Sequence, residues 1–221
     1  MAFNVAIDGP AGAGKSTIAK SVAAEMNFIY VDTGAMYRAI GLYLIRNGIR
    51  AEDNEQISAR CKEAQVSIQY VDGKQVVLLN GEDVNPYIRT EEVGNMASAS
   101  SANPAVRAQL LDLQRDLAAK NDVIMDGRDI GTNILPNAQV KIYLTASIEV
   151  RAKRRYNELV AKGVDCDLKE IEKDIAERDE RDMNREIAPL KQAEDAIFLD
   201  TSDMNIEEVK NAIIDLIRSK Q

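Results

Sequence analysis

Residues Gly9 to Ser16 read Gly-Pro-Ala-Gly-Ala-Gly-Lys-Ser, which is the Walker A spacing G-x-x-x-x-G-K-[ST]. The chemistry such a run serves is the holding of a polyphosphate. Glycines let successive backbone N–H groups turn toward phosphoryl oxygens, a helix N-terminus adds partial positive charge, and the lysine reaches the β- and γ-phosphoryl groups. Gly9, Pro10, Ala11, Gly12, Ala13, Gly14, Lys15, Ser16 and Thr17 are therefore candidate ATP-binding residues, and Ser16 is the candidate ligand of the Mg2+ that accompanies ATP. A Gly-rich turn without a ligand, or a dinucleotide-binding loop, has no need of Lys-Ser directly after its last glycine.

A nucleotide loop alone leaves GTPases, motor ATPases and small-molecule kinases open, so the other polar clusters must decide. Asp32-Thr33-Gly34-Ala35-Met36-Tyr37-Arg38 offers a hydroxyl and an arginine, and Arg38 suits a monophosphate dianion. The plainer reading is that Thr33 caps a helix and Arg38 is solvated. Asp126-Gly127-Arg128-Asp129 follows an apolar run and carries an arginine and two carboxylates to the same rim, with structural ion pairing as the alternative. From Arg151 through Arg185 ten Lys/Arg face ten Asp/Glu. Most of these charges read as solvated helix faces with i,i+4 pairs. Arg178, Arg181 and Arg185 are the exception, because spacings of three and four put them on one helical face that could close over transferring phosphates. Arg154, from the preceding helix, joins the ATP-binding candidates.

The elements needed to hold these groups are legible as alternating strands and helices. Val5-Ala6-Ile7 is a short buried strand before the loop, and a helix runs from about Lys15 to Asn27. Phe28 to Val31 is a second strand, followed by helical spacing from Met36 to Arg46. Ser67 to Val71 and Gln75 to Leu79 flank Asp72-Gly73, a hairpin turn signal that predicts an antiparallel insert. Asn103-Pro104 opens a helix through Val106, Leu110, Leu113 and Leu117, leading to strand Val123-Ile124-Met125. Strand Val140 to Leu144, helices from about Ile148 and Leu168, strand Ala196 to Leu199 and helix Ile206 to Ile217 complete the chain. The expected fold is α/β, with a five-stranded doubly wound parallel sheet and its ligands at the carboxyl ends of the strands.

Composition narrows the chemistry further. The 221 residues are 45% hydrophobic and 29% charged, as suits one soluble domain. No histidine is present, which removes Ser-His-Asp hydrolysis and His-ligated metals. A formal charge of −8 argues against nucleic acid as a partner. Cys61 and Cys166 stand far apart and are expected to be free thiols. No segment predicts a membrane span, and the first charged residue, Asp8, comes too early for a signal peptide, so a cytoplasmic location is expected.

With these motifs in hand, the chain resembles the bacterial cytidylate kinases over nearly its whole length. The resemblance rests on IDGPAGAGKST from Ile7, VDTGAMYR from Val31, MDGRDIGT from Met125 and RDERDMNREIAPL from Arg178. It implies a P-loop kinase of the nucleoside monophosphate kinase group that passes the γ-phosphoryl of ATP to CMP or dCMP. It also implies a core of about residues 1–32, 105–150 and 190–221, an NMP-binding lobe of about 33–104 containing the insert, and a helical lid of about 151–189. By that resemblance Arg38, Arg128 and Arg185 hold the CMP phosphate, and Asp182 and Arg178 meet ribose or phosphates. Thr33 supplies a hydroxyl where some relatives have serine, and Ser98, Arg107 and Asp129 surround cytosine. Their chemistry fits: Ser98 and Asp129 can accept the N4 amino hydrogens and Arg107 can donate to N3 or O2, whereas uracil presents O4. Lys15, Arg128, Arg178 and Arg185 are the implied catalytic set, and relatives of this kind imply a monomer.

The acceptor oxygen belongs to a phosphate already ionised at neutral pH, so a chain without histidine needs no general base for this transfer. Two alternatives stay open at this point: a kinase for UMP, dTMP, shikimate or another small acceptor, and a P-loop regulatory NTPase. The latter lacks an NKxD guanine-reading motif and gives the arginine-rich segment no purpose.

Overall fold

In the computed structural model, which describes residues 2–221, eight strands and eight helices alternate much as the apolar pattern predicts. The strands are β1 (Asn4–Asp8), β2 (Ile29–Asp32), β3 (Val66–Val71), β4 (Lys74–Leu79), β5 (Glu82–Asp83), β6 (Val123–Gly127), β7 (Val140–Thr145) and β8 (Ile197–Asp200). The helices are α1 (Lys15–Met26), α2 (Thr33–Arg46), α3 (Asn54–Arg60), α4 (Glu91–Ser100), α5 (Pro104–Lys120), α6 (Ile148–Ala161), α7 (Leu168–Asn184) and α8 (Ile206–Arg218).

The expected five-stranded parallel sheet is present, in the order β2-β6-β1-β7-β8. Its central strands are apolar on both sides because helices cover both faces. One face packs α2, α4 and α5 around Met36, Ile40, Leu110 and Met125, and the other packs α1 and α8 around Ile7, Ile18, Ile142 and Ile213. The chain leaves β1 in one direction and crosses back over it between β6 and β7, so the topological switch lies beside β1. Register brings Asp8 level with Gly127 and Asp32 level with Asp126, gathering three of the sequence motifs at one sheet edge.

The antiparallel insert is also present, as β3-β4-β5, and Asp72 and Gly73 turn it with φ of 50° and 72°. It covers the free edge of β2. The Gln75 side chain accepts from Asp32 N at 2.8 Å and donates to Asp32 O at 3.2 Å, satisfying edge groups that a strand would otherwise pair. Tyr70 donates its hydroxyl to Tyr30 O at 3.1 Å.

Three expectations need correction. Helix α2 starts at Thr33, and the cap is Asp32, whose carboxylate accepts from Ala35 N at 2.9 Å; Thr33 lies inside the helix with its hydroxyl free for other partners. Helices α3 and α4 are additions to the predicted set. Helix α7 ends at Asn184, so Arg185, at ψ 140°, leaves the helical face that was expected to carry it with Arg178 and Arg181.

Helices α6 and α7 form a hairpin with its own small apolar cluster of Ala152, Ile171 and Ile175. Cys61 and Cys166 are free, as expected. Among the described residues no helix is long and apolar enough to cross a membrane.

Candidate active site

Between β1 and α1 the loop follows from its glycines. Gly9, Gly12 and Gly14 hold φ of 151°, 72° and 88°, values that L side chains rarely adopt. A Cβ on Gly9 would stand 1.9 Å from Leu144 O, so only glycine lets the loop cross β7 this closely. Lys15 is buried and donates to Gly9 O and Pro10 O, each at 2.7 Å. Gly9 and Pro10 are buried, while Ala11 through Thr17 line a cleft of about 1950 Å³ that those two residues do not border. Burial, and then the nearby Arg128 guanidinium, press the Lys15 ammonium below its ordinary pKa. A bound polyanion reverses that cost.

Asp126, at the end of β6, is the hub beneath the loop. It accepts from Ser16 Oγ at 2.9 Å and from Tyr30 Oη at 2.8 Å, and its own carbonyl accepts from Thr33 Oγ1 at 2.8 Å. Burial and the facing Asp32 raise its pKa, against the pull of Lys15. Gly127 leaves room next to it, since a Cβ there would stand 2.8 Å from Thr33 Oγ1 and 2.6 Å from Ile130 Cδ1 and those side chains would have to shift.

Asp8 plays a structural part. Its carboxyl accepts from Ile130 N at 2.8 Å and Gly131 N at 2.7 Å, tying β1 to the turn after β6. Burial outweighs those bonds and pushes its pKa from 3.8 up to about 6. A raised carboxyl contributes its stability in the neutral form: fully below about pH 4, and lost as pH climbs through 6. The stability advantage of wild type over Asp8→Asn should therefore shrink by up to about 3 kcal/mol between pH 4 and pH 7, as read by urea titration. An advantage that grows with pH would contradict this.

Two groups of polar side chains face the cleft beyond the loop. In the first, Arg128 Nε donates to Asp182 Oδ2 at 2.8 Å, and Ser98 Oγ donates to Asp182 Oδ1 at 3.2 Å. Arg38 and Arg178 approach each other over Gly94, where a Cβ would come within 3.8–3.9 Å of both guanidinium groups. Neither has an ion-pair partner among the described residues, and Arg178 Nε is buried without any hydrogen bond. Burial and the Arg128 charge hold Arg178 down at about 10. Two half-buried cations lacking a counter-ion form a place for an anion.

In the second group Arg107 Nη2 donates to Asp129 Oδ2, which also accepts from Asn133 Nδ2 at 3.1 Å. Arg185 Nη2 reaches Asp129 Oδ1 only at 3.4 Å, while its Nη1 donates to Ser101 Oγ at 2.9 Å. Arg185 thus sits with Arg107 and Asp129 and not with Arg38. The Arg107 guanidinium also lies over the Tyr37 ring, 5.7 Å from its centroid. Arg154 is apart from both groups: it donates to Thr201 O at 2.7 Å, beside Gly14 at the start of α1. Thr33, Arg38, Ser98, Arg107, Arg128, Asp129, Arg154, Arg178, Asp182 and Arg185 all line the one cleft.

Sequence reasoning passed over several residues of this site. Asp126 was visible as a rim carboxylate, but its bond to Ser16 spans 110 positions. Arg89 lines the cleft and pairs with the helix cap Asp32 at 2.7 Å, and no local pattern marks it. Arg151 and Asp179, read as part of solvated faces, are instead buried against each other at 2.7 Å.

The comparisons with known proteins agree with this geometry. The family described as Cytidylate kinase matches residues 5–219. A cytidylate kinase of Caldicellulosiruptor bescii is 50% identical over 97% of this chain and 95% of its own. One from Lactobacillus johnsonii is 49% identical over 99% and 95%. In shape, an uncharacterized protein from Eubacterium ventriosum aligns over 99% of both chains with a TM-score of 0.53 at 15% identity, a likeness of fold alone. A phosphate loop, two unpaired guanidinium groups across from it and relatives half identical over nearly full length lead to one conclusion: the chain belongs to the cytidylate kinase family.

Proposed function

We propose that the chain transfers the γ-phosphoryl group of ATP to the 5′-phosphate of CMP or dCMP, giving ADP and the nucleoside diphosphate. The observation that carries this reading is the pair of cations, Arg38 and Arg178, without a protein counter-ion in a cleft that also contains the phosphate loop. One loop accounts for one polyphosphate; the second cationic spot needs a second anion. The cleft volume, about 1950 Å³, exceeds the ~300–1,000 Å³ usual for a single small ligand.

On this reading the N–H groups of Gly12 through Ser16, with Lys15, hold the ATP phosphates, and Arg154 supports the loop from the side of Thr201. Arg38 and Arg178 hold the acceptor phosphate, with Arg128 between the two sites and Asp182 keeping it oriented. Ser98, Arg107 and Asp129 read the base, and Arg185, held by Ala188 O and Ser101 Oγ, is a further cation for the acceptor phosphate. The donors near Ser16 are hard oxygens, a hydroxyl and a carboxylate 2.9 Å apart, and they fit Mg2+, which takes few protein ligands and shares the rest with phosphates and water. Ser16 would ligate it directly with Asp126 behind, and the ion would supply charge neutralisation on the β- and γ-phosphoryl oxygens. The chain's own work is to place two mutually repelling polyanions in line and keep water away. Segments 33–104 and 151–189 are the parts that close for this purpose.

The test is a coupled ADP-release assay with MgATP across acceptors. CMP and dCMP should be turned over, with UMP slower and shikimate inert. Steady hydrolysis of ATP with no dependence on an acceptor would overturn the reading and favour a regulatory NTPase.

A further inference from the structure

Ala11 is held on both of its backbone polar groups by side chains from the α6–α7 hairpin. Its N–H donates to Asp179 Oδ1 at 3.3 Å, and its carbonyl accepts from Arg151 Nη1 at 2.8 Å. The same Nη1 lies 2.7 Å from Asp179 Oδ2, closing a ring of three contacts. Arg151 Nε donates to Ala146 O at 2.8 Å, which anchors the guanidinium to the residue that follows β7. Both side chains are buried, at 4% and 6% exposure. The neighbouring Gly12 faces the same hairpin, where a Cβ would be in ordinary contact with Arg151 Cβ at 3.5 Å and Ile175 Cδ1 at 3.8 Å.

A buried ion pair adds little net stability compared with apolar residues of the same volume, because desolvation offsets its attraction. What it supplies here is direction. Asp179 sits between Arg178 and Glu180 and one turn from Asp182, so its grip on Ala11 sets where α7 lies against the loop.

We propose that Arg151 and Asp179 are positioning residues for phosphoryl transfer: by clamping Ala11 they keep the phosphate loop and the cleft-facing side chains Arg178 and Asp182 in register. This rests on the kinase reading above. Arg151 borders the cleft and Asp179 does not, and both guanidinium and carboxylate are spent on Ala11 and on each other, so the pair acts through Ala11 and through α7. The segment 151–189 is therefore held to the loop at Asp179, and its closing movement pivots about that contact.

The test compares Asp179→Leu, Asp179→Asn and the double variant Arg151→Met/Asp179→Leu with wild type, in turnover and in thermal unfolding. Asparagine keeps one oxygen where two donors, Ala11 N and Arg151 Nη1, now each have one, so it can satisfy only one of them, and the double variant leaves no unpaired buried charge. Asp179→Leu and the double variant should lose about 10- to 50-fold in kcat, since misplacement by an ångström costs up to about 10²-fold. Their KM for CMP should stay within about threefold, and Asp179→Asn, which keeps one of the two contacts, should fall between Asp179→Leu and wild type in kcat. The double variant should unfold within a few degrees of wild type. Wild-type kcat in the double variant, an Asp179→Asn no better than Asp179→Leu, or losses that follow the unfolded fraction would each overturn the proposal. Wild-type turnover of CMP tests the function and the variant ratios test the clamp, so the two fail separately.

Discussion

Lys15→Ala should lower phosphoryl transfer from ATP to CMP by about 10³-fold or more while the protein stays folded, because a preorganised cation on the transferring group is among the largest single contributions to such a reaction. The ammonium spends two of its three N–H groups on Gly9 O and Pro10 O, at 2.7 Å each, which fixes it in the loop with one donor left for a phosphoryl oxygen. Burial and Arg128 outweigh the nearby carboxylates Asp126, Asp8 and Asp182 and disfavour its charge, a cost that a bound polyphosphate would offset. The same fact protects the fold in the variant: removing a desolvated cation relieves strain that offsets the two lost hydrogen bonds. The α1 start does not depend on Lys15, since Thr17 N and Ile18 N both bond Gly14 O at 3.1 Å. ADP release in the coupled assay and a thermal melt together check the outcome. Undiminished turnover would remove Lys15 from the mechanism, and an unfolded variant would reassign it to structure.

How far such a site can be read in advance depends on how local its determinants are. The phosphate loop, the Asp72-Gly73 hairpin and the Asn103-Pro104 helix start are each specified within a few residues by glycine φ, turn chemistry or capping, and all three form as expected. Helix α4 was passed over because Gly94, Ala97, Ser98 and Ala99 give it no broad apolar stripe. Its smallness is the reason it packs: a Cβ on Gly41 of α2 would meet Ala97 N at 3.1 Å, so the two backbones nearly touch. The helix pattern through Arg178, Arg181 and Arg185 is real up to Asn184, but the chain turns there, with Ala188 at φ 48°, and Arg185 is drawn to Asp129 and Ser101. Buried charges are the hardest case. Arg151 and Asp179 look like any other members of a neutral, charged segment, and only the tertiary approach of the hairpin to Ala11 removes them from water.

The base end of the cleft carries the second large expectation, and the hydrogen-bond pattern decides which variant tests it. Asp129 Oδ2 is taken by Arg107 and Asn133, whereas Oδ1 has only the 3.4 Å approach of Arg185, leaving a lone pair for an amino hydrogen of cytosine. Alanine at this position would leave Arg107 and Arg185 buried without their carboxylate, a loss of about 3–5 kcal/mol that would confuse stability with selectivity. Asparagine keeps the oxygen that Arg107 and Asn133 use, at the cost of the charge and of the long Arg185 contact, so a thermal melt must accompany the assay, and its orientation is forced. Arg107 can only donate, so the amide oxygen must face it, and the amide nitrogen then stands where Oδ1 was. A donor now meets the base: cytosine's amino group loses its acceptor and uracil's O4 gains a partner. Leaving one buried polar group unpaired costs about 1–3 kcal/mol, so Asp129→Asn should lower the CMP-to-UMP ratio of kcat/KM by roughly 5- to 150-fold. Ser98 still offers an oxygen, since it uses its proton on Asp182 and keeps its lone pairs, so CMP turnover should fall without vanishing. The KM for ATP should hold within about threefold, because no contact of Asp129 reaches the phosphate loop. A ratio equal to that of wild type would show that cytosine is chosen elsewhere.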